Sequence, residues 1–137
     1  MRVYVGALYI GKKTVTAPGV IGDPGPKRIA LYLLRELSAA QLFGAMEEGF
    51  RKNHDAKELA QLAARVRQLR AVFDGVKVAK AGDVILLDWL PDSGTRISVN
   101  GVVKGSIPGA DFHRALLRIW LGKNPDNGGL KRALLRG

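Results

Sequence analysis

The stretch from Asp83 to Gly122, DVILLDWLPDSGTRISVNGVVKGSIPGADFHRALLRIWLG, constrains the fold more than any other part of the chain, because each of its breaks is chemically marked. Asp83 to Leu90 is rich in β-formers and largely apolar, and Pro91-Asp92-Ser93-Gly94 supplies residues that reverse a chain at low backbone strain. Thr95 to Asn100 alternates Thr, Ile and Val with Arg96, Ser98 and Asn100, the period-two pattern of a strand with one face to the core and one to water. Asn100-Gly101 offers the two positive-φ positions of a type I′ hairpin, and Val102 to Ile107 reads as the return strand. After Pro108-Gly109, Phe112, Ala115, Leu116, Ile119 and Trp120 recur with helical spacing, and Gly122 is placed to cap the helix. The stretch therefore predicts an antiparallel meander that runs straight into an amphipathic helix, and the chain an α+β domain.

The remaining segments fit around that frame. Arg2 to Ile10 reads as a strand that starts almost at the first residue; Ala17 to Pro26, dense in Pro and Gly, as a loop; and Lys27 to Leu34 as a strand buried on both faces. Ser38-Ala39-Ala40-Gln41 is a capping-box pattern that opens a helix to about Arg51, with Leu42, Ala45, Met46, Gly49 and Phe50 as its inward stripe. Asp55-Ala56-Lys57-Glu58 repeats the logic for a helix to about Asp74. Its core side is Leu59, Leu62, Val66, Leu69 and Phe73, and its wet side Lys57, Gln61, Arg65 and Gln68. Lys77 to Gly82 is a connector, and a last helix restarts at Asn124-Pro125-Asp126, anchored by Leu130 and Leu134. With no repeat or linker, residues 1–137 read as one domain, a size that buries roughly two-thirds of the unfolded surface.

Composition removes several function classes. The absence of cysteine excludes disulfides and thiolate chemistry, and His54 and His113 alone are too few for a zinc site, so neither a metal nor a cofactor is expected. No apolar run approaches the ~20 residues of a membrane helix, and MRVYVGALYIGKK lacks a small-residue cleavage site, so the compartment is not legible. The net charge of +10 invites a nucleic-acid or anionic-surface reading, but the basic residues are dispersed and no RNA- or DNA-binding motif is present; a solvated basic surface is the stronger account. Asp83, Asp88 and Asp92 read as turn and strand-end residues without a paired carboxylate. There is no nucleophile elbow or phosphate-cradling loop, and no catalytic residue is assigned. Arg114 and Arg118, at i and i+4, share a helix face that could hold an anion. Tyr4, Tyr9 and Tyr32 are hydroxyl candidates for the polar end of an apolar cavity, or else simple core aromatics.

Four segments, VYVGALYI (Val3 to Ile10), PGPKRIALYLLREL (Pro24 to Leu37), SIPGADFHRALLRIWLGKNP (Ser106 to Pro125) and LKRALL (Leu130 to Leu135), resemble in order and spacing the chalcone isomerase-like family, especially its bacterial stand-alone members. The resemblance implies an open-faced β-sandwich, an antiparallel sheet covered on one face by a layer of helices, with a ligand cleft between them. Plant chalcone isomerases furnish that cleft with an arginine ahead of the first matched strand, a threonine on it, a Tyr-x-x-Lys-x-x-x-Asn helix and a late threonine. The matching positions here are Tyr4 for the strand threonine, Leu42, Ala45 and Gly49 for the helix trio, and Ile119 for the late threonine. The arginine has no counterpart, as if the reading began short of an N-terminal segment. Leu, Ala, Gly and Ile neither position a phenolate nor polarise a ketone, which argues against plant-type cyclisation. The fatty-acid-binding branch of the family is the better guide: its Val-Tyr-x-x-x-x-Tyr pattern is matched by Val3, Tyr4 and Tyr9, and Arg2, two residues before Tyr4 and on its face, is the substitute for the missing cation. The resemblance thus implies a non-catalytic domain that binds a fatty acid or similar amphipathic carboxylate through Tyr4, Arg2, Leu42, Ala45, Gly49 and Ile119. The alternatives are an isomerase acting on a non-chalcone substrate, which needs a polar cluster in the cleft, and a module whose basic face docks an acidic partner.

Overall fold

The computed structural model of the chain describes residues 4–10 and 16–123. In chain order the elements are β1 (Tyr4–Ile10), α1 (Ala17–Gly22), β2 (Lys27–Leu33), β3 (Leu37–Ser38), α2 (Ala39–Asn53), α3 (Ala56–Val76), β4 (Val78–Ala79), β5 (Val84–Leu90), β6 (Gly94–Val99), β7 (Val102–Ile107) and α4 (Ala110–Leu121). The five long strands form one antiparallel sheet in the order β1-β2-β5-β6-β7, and β3 and β4 pair separately. The meander and its helix form as the sequence predicts. Asn100 (φ 51°) and Gly101 (φ 83°) take the positive-φ turn between β6 and β7. Gly122 closes α4 by giving its amide to the Arg118 carbonyl, at a negative φ rather than in the left-handed form.

Strand register sorts the side chains into two faces. Cross-strand partners Leu8, Ile29, Leu87 and Ile97 make one inward row, and Ile10, Lys27, Trp89, Thr95 and Ile107 the next. Under α2, α3 and α4 these rows meet Phe50, Leu69, Phe73, Phe112, Leu116 and Ile119 in one hydrophobic core. The opposite face carries Tyr9, Arg28, Asp88 and Arg96 in register, and no described helix covers it. The result is the expected α+β open-faced β-sandwich, five antiparallel strands with a helical layer on one side.

Several local expectations give way to tertiary structure. β2 is only partly buried on its second face: Ile29, Leu31 and Leu33 face the core and Ala30 is enclosed on the other side, whereas Tyr32 is 38% exposed. Ala17 to Gly22 is helical rather than a loop, because Thr16 accepts from the Gly19 amide and Pro18 lies in the first turn, where a missing N–H costs nothing. The connector after α3 contains β4, whose pairing of Val78 with Ser38 and Ala79 with Leu37 ties the start of α2 to the end of α3. Arg65, on the wet side of α3, is half-buried rather than fully solvated, because its guanidinium holds Asp111 in the first turn of α4 through both Asp111 carboxylate oxygens. Both expected capping boxes form, Ser38 with Gln41 and Asp55 with Glu58. The last expected helix, from Asn124, lies outside the described residues.

Candidate functional site

Where the edge of the sheet meets α2 and α4, the core opens into a cavity of about 290 Å³. β1 and β2 supply Tyr4, Leu31 and Leu33, the segment after β2 supplies Arg35 and Leu37, α2 supplies Gln41, Leu42, Ala45 and Met46, and α4 supplies Ile119 and Trp120. Each element delivers these residues by its own period: Leu31 and Leu33 alternate inward on the strand, and Leu42, Ala45 and Met46 fall at i, i+3 and i+4 on the helix. Three polar side chains border the space. The Tyr4 hydroxyl accepts the indole N–H of Trp120 at 2.7 Å, and its own O–H is a hydrogen-bond donor. Gln41 turns its amide oxygen to the Ser38 backbone amide in the capping box, and Arg35 is an exposed cation.

Of the six residues expected to form the site, four line this cavity: Tyr4, Leu42, Ala45 and Ile119. Ala45 is exposed, at the surface end of the helix stripe rather than in the core where the inward-stripe reading put it. Gly49 sits one turn further along α2 and does not line the space; it lets α4 approach, since a Cβ there would lie 2.7 Å from Cγ2 of Ile119. Arg2 lies outside the described residues. Tyr9 and Tyr32 are not at the cavity: both are on the uncovered face of the sheet, with their hydroxyls 3.4 Å apart. Sequence pattern passed over Arg35, because it follows a strand with no motif around it. It also passed over the role of Trp120, which looked like one more apolar residue on the helix.

The other polar groups of the inward face lie elsewhere. Lys27, 4% exposed, gives its ammonium to the carbonyls of Asp23 and Gly25 and so fastens the loop before β2; burial lowers its pKa. His113 is 2% exposed, stacks on Trp89 and lies 3.1 Å from the Thr95 hydroxyl. Burial, with Lys27 adding repulsion, lowers its pKa to about 3, so the ring is neutral at physiological pH. Asp88 is a structural carboxylate on the other face, where Arg28 grips it at 2.7 and 3.0 Å and Arg96 lies 3.6 Å away. Asp83 accepts from Asn100 and from the Lys80 amide, which lowers its pKa. Among the described residues no cluster of three or more His, Asp or Glu could hold a metal ion, and no helix is long and apolar enough to cross a membrane.

An antiparallel sheet under a single helical layer, with an apolar cleft at the sheet edge, defines a chalcone isomerase-like fold. The chain belongs to the chalcone isomerase-like family, whose model matches residues 1–136. Among solved structures it is similar to a fatty-acid binding protein of Arabidopsis thaliana, with a TM-score of 0.71 and 14% identity over 97% of this chain and 76% of that one. At that identity the likeness concerns the fold. No curated protein matches the chain.

Proposed function

We propose that the protein binds a fatty acid or a similar amphipathic carboxylate in the Tyr4–Ile119 cavity and holds it without chemical change. The observation that carries this reading is the composition of the walls. Leu31, Leu33, Leu37, Leu42, Met46 and Ile119 present hydrocarbon, whereas Tyr4, Arg35 and Gln41 contribute the hydrogen-bonding groups. Among the described residues the lining contains no histidine, lysine or carboxylate to move a proton, which favours this reading over an isomerase. Likeness in fold to a protein titled as fatty-acid binding adds support.

The size of the cavity points to the ligand. At about 30 Å³ per water-sized group, the space takes on the order of ten methylenes, a medium-length chain. Burying them is worth about 0.8 kcal/mol each, and charge-assisted bonds to the head group add about 1.5–3 kcal/mol. Lost translational and rotational freedom takes back at least about 4 kcal/mol. The balance, at most about 5.5–7 kcal/mol, corresponds to a Kd of roughly 10–100 μM or weaker.

In this arrangement Arg35 is the cation for the carboxylate and the Tyr4 hydroxyl its donor, with the acyl chain running between α2 and α4. Titration of delipidated protein with saturated fatty acids of graded length tests the reading. Affinity should rise with each carbon and level off near ten, whereas a signal that does not saturate at any length would count against it.

A further inference from the structure

We propose that the groove between α1, the end of α2 and α4 is a second ligand site, which takes a phosphomonoester carried on an apolar body, such as an alkyl phosphate. The groove has a volume of about 860 Å³ and shares no lining residue with the Tyr4 cavity, so the two sites use different faces of α4. Ala17, Pro18, Ile21 and Leu121 form an apolar wall, and Arg114, Arg118 and Lys123 present cations against one carboxylate among the described residues, that of Asp55. None of these three cations forms an ion pair among the described residues, whereas Lys52, also in the lining, pairs with Glu48 at 3.9 Å.

The setting of Arg118 is the decisive detail. His54 Nδ1 lies 2.8 Å from the Phe50 carbonyl, which only accepts, so Nδ1 carries the hydrogen and Nε2 presents a lone pair. Arg118 Nη1 donates to that lone pair at 3.2 Å. The guanidinium is therefore oriented by an imidazole lone pair instead of a carboxylate, and its charge and remaining donors are left for an anion. Arg114, one turn earlier on α4, places a second fork on the same face. Two forks and a lysine suit an oxyanion carrying close to two charges better than a single carboxylate, and the apolar wall beside them calls for a hydrocarbon substituent.

The test is an NMR titration of the full-length protein with hexyl phosphate. Saturable shifts should appear at residues 17–22, 52–55 and 114–122 and not around Leu42 and Ala45. The R114Q/R118Q double variant, checked for an otherwise native spectrum, should bind about tenfold more weakly or worse. Inorganic phosphate alone should also be about tenfold weaker, because it leaves the wall uncovered. Equal affinity for inorganic phosphate, or shifts confined to the Tyr4 cavity, would overturn the proposal. Binding to phosphatidic acid vesicles without binding to hexyl phosphate would assign the groove to a membrane surface instead. Binding only after removal of residues 124–137 would identify the chain's own C-terminal segment as the occupant.

Discussion

Trp120 donates its indole N–H to the Tyr4 hydroxyl across 2.7 Å, and this bond fastens α4 to the edge strand β1 in the wall of the cavity. Trp120 is only 3% exposed, so its donor has little water to turn to. Tyr4→Phe should therefore cost about 1–3 kcal/mol, the penalty of a buried donor left unmade. Trp120→Phe removes the donor and leaves a half-buried hydroxyl that water can reach, so its hydrogen-bond penalty is smaller. Denaturant midpoints at unchanged m-value measure the first of these directly.

Gly49 and Ile119 are a packing pair. A methyl on Gly49 would stand 2.7 Å from one Ile119 methyl and 2.9 Å from Cγ1, and Ile119 itself is buried. Overpacking costs about 1–3 kcal/mol, and the better helix propensity of alanine returns at most about 1 kcal/mol. Gly49→Ala should thus destabilise the protein, and the G49A/I119A double variant should lose less than the sum of its parts. Strict additivity would show that the two residues do not press on each other.

The Arg65 pair sets the Asp111 carboxyl at about 2, below its ordinary 3.8. The folded state therefore holds the carboxylate more tightly than the unfolded one, and the stabilisation is present above about pH 4 and lost as pH falls toward 2. Because the Asp111 side chain is 53% exposed, solvent screening limits the effect to about 1 kcal/mol at most. Asp111→Asn should lower stability by up to that amount at pH 7 and leave it unchanged near pH 2. Unfolding free energies at the two pH values make the comparison.

His113 adds a second loss of stability on the acid side, beginning at higher pH. Its folded pKa of about 3 lies below the ordinary 6.5, so between these values protons bind the unfolded chain preferentially. Stability should fall as pH drops below 6.5, with a slope approaching about 1.4 kcal/mol per unit from this group alone. In His113→Gln that part of the slope should vanish. A parallel decline in the variant would move its origin to other groups.

The fold was legible because its organising stretch carries local chemistry that tertiary structure reinforces. Asn100-Gly101 can hardly do anything but turn, and the residues 83–122 deliver the meander and its helix nearly to the residue. Faces were less legible. KRIALYLL carries too few polar residues to reveal that Tyr32 and Arg28 point away from the helices; only pairing with β1 and β5 decides that. The cavity was half legible: Tyr4, Leu42, Ala45 and Ile119 came from family correspondence, whereas Arg35 reaches the space through a loop whose path no periodicity encodes. Gly49 had the right neighbour and a different task, since a glycine in a helix stripe reads equally as cavity wall or as close approach.

Binding of a medium-chain fatty acid is the central claim, and calorimetric titration of delipidated protein with decanoate tests it most directly. Ala45 is exposed on α2, so Ala45→Trp is expected to fold with little change in stability while its ring occupies the cavity. The account predicts one saturable site per chain with a Kd of roughly 10–100 μM, weakened about tenfold by Arg35→Gln and abolished by Ala45→Trp. Binding that survives Ala45→Trp unchanged, or no saturable heat from the parent protein, would contradict it.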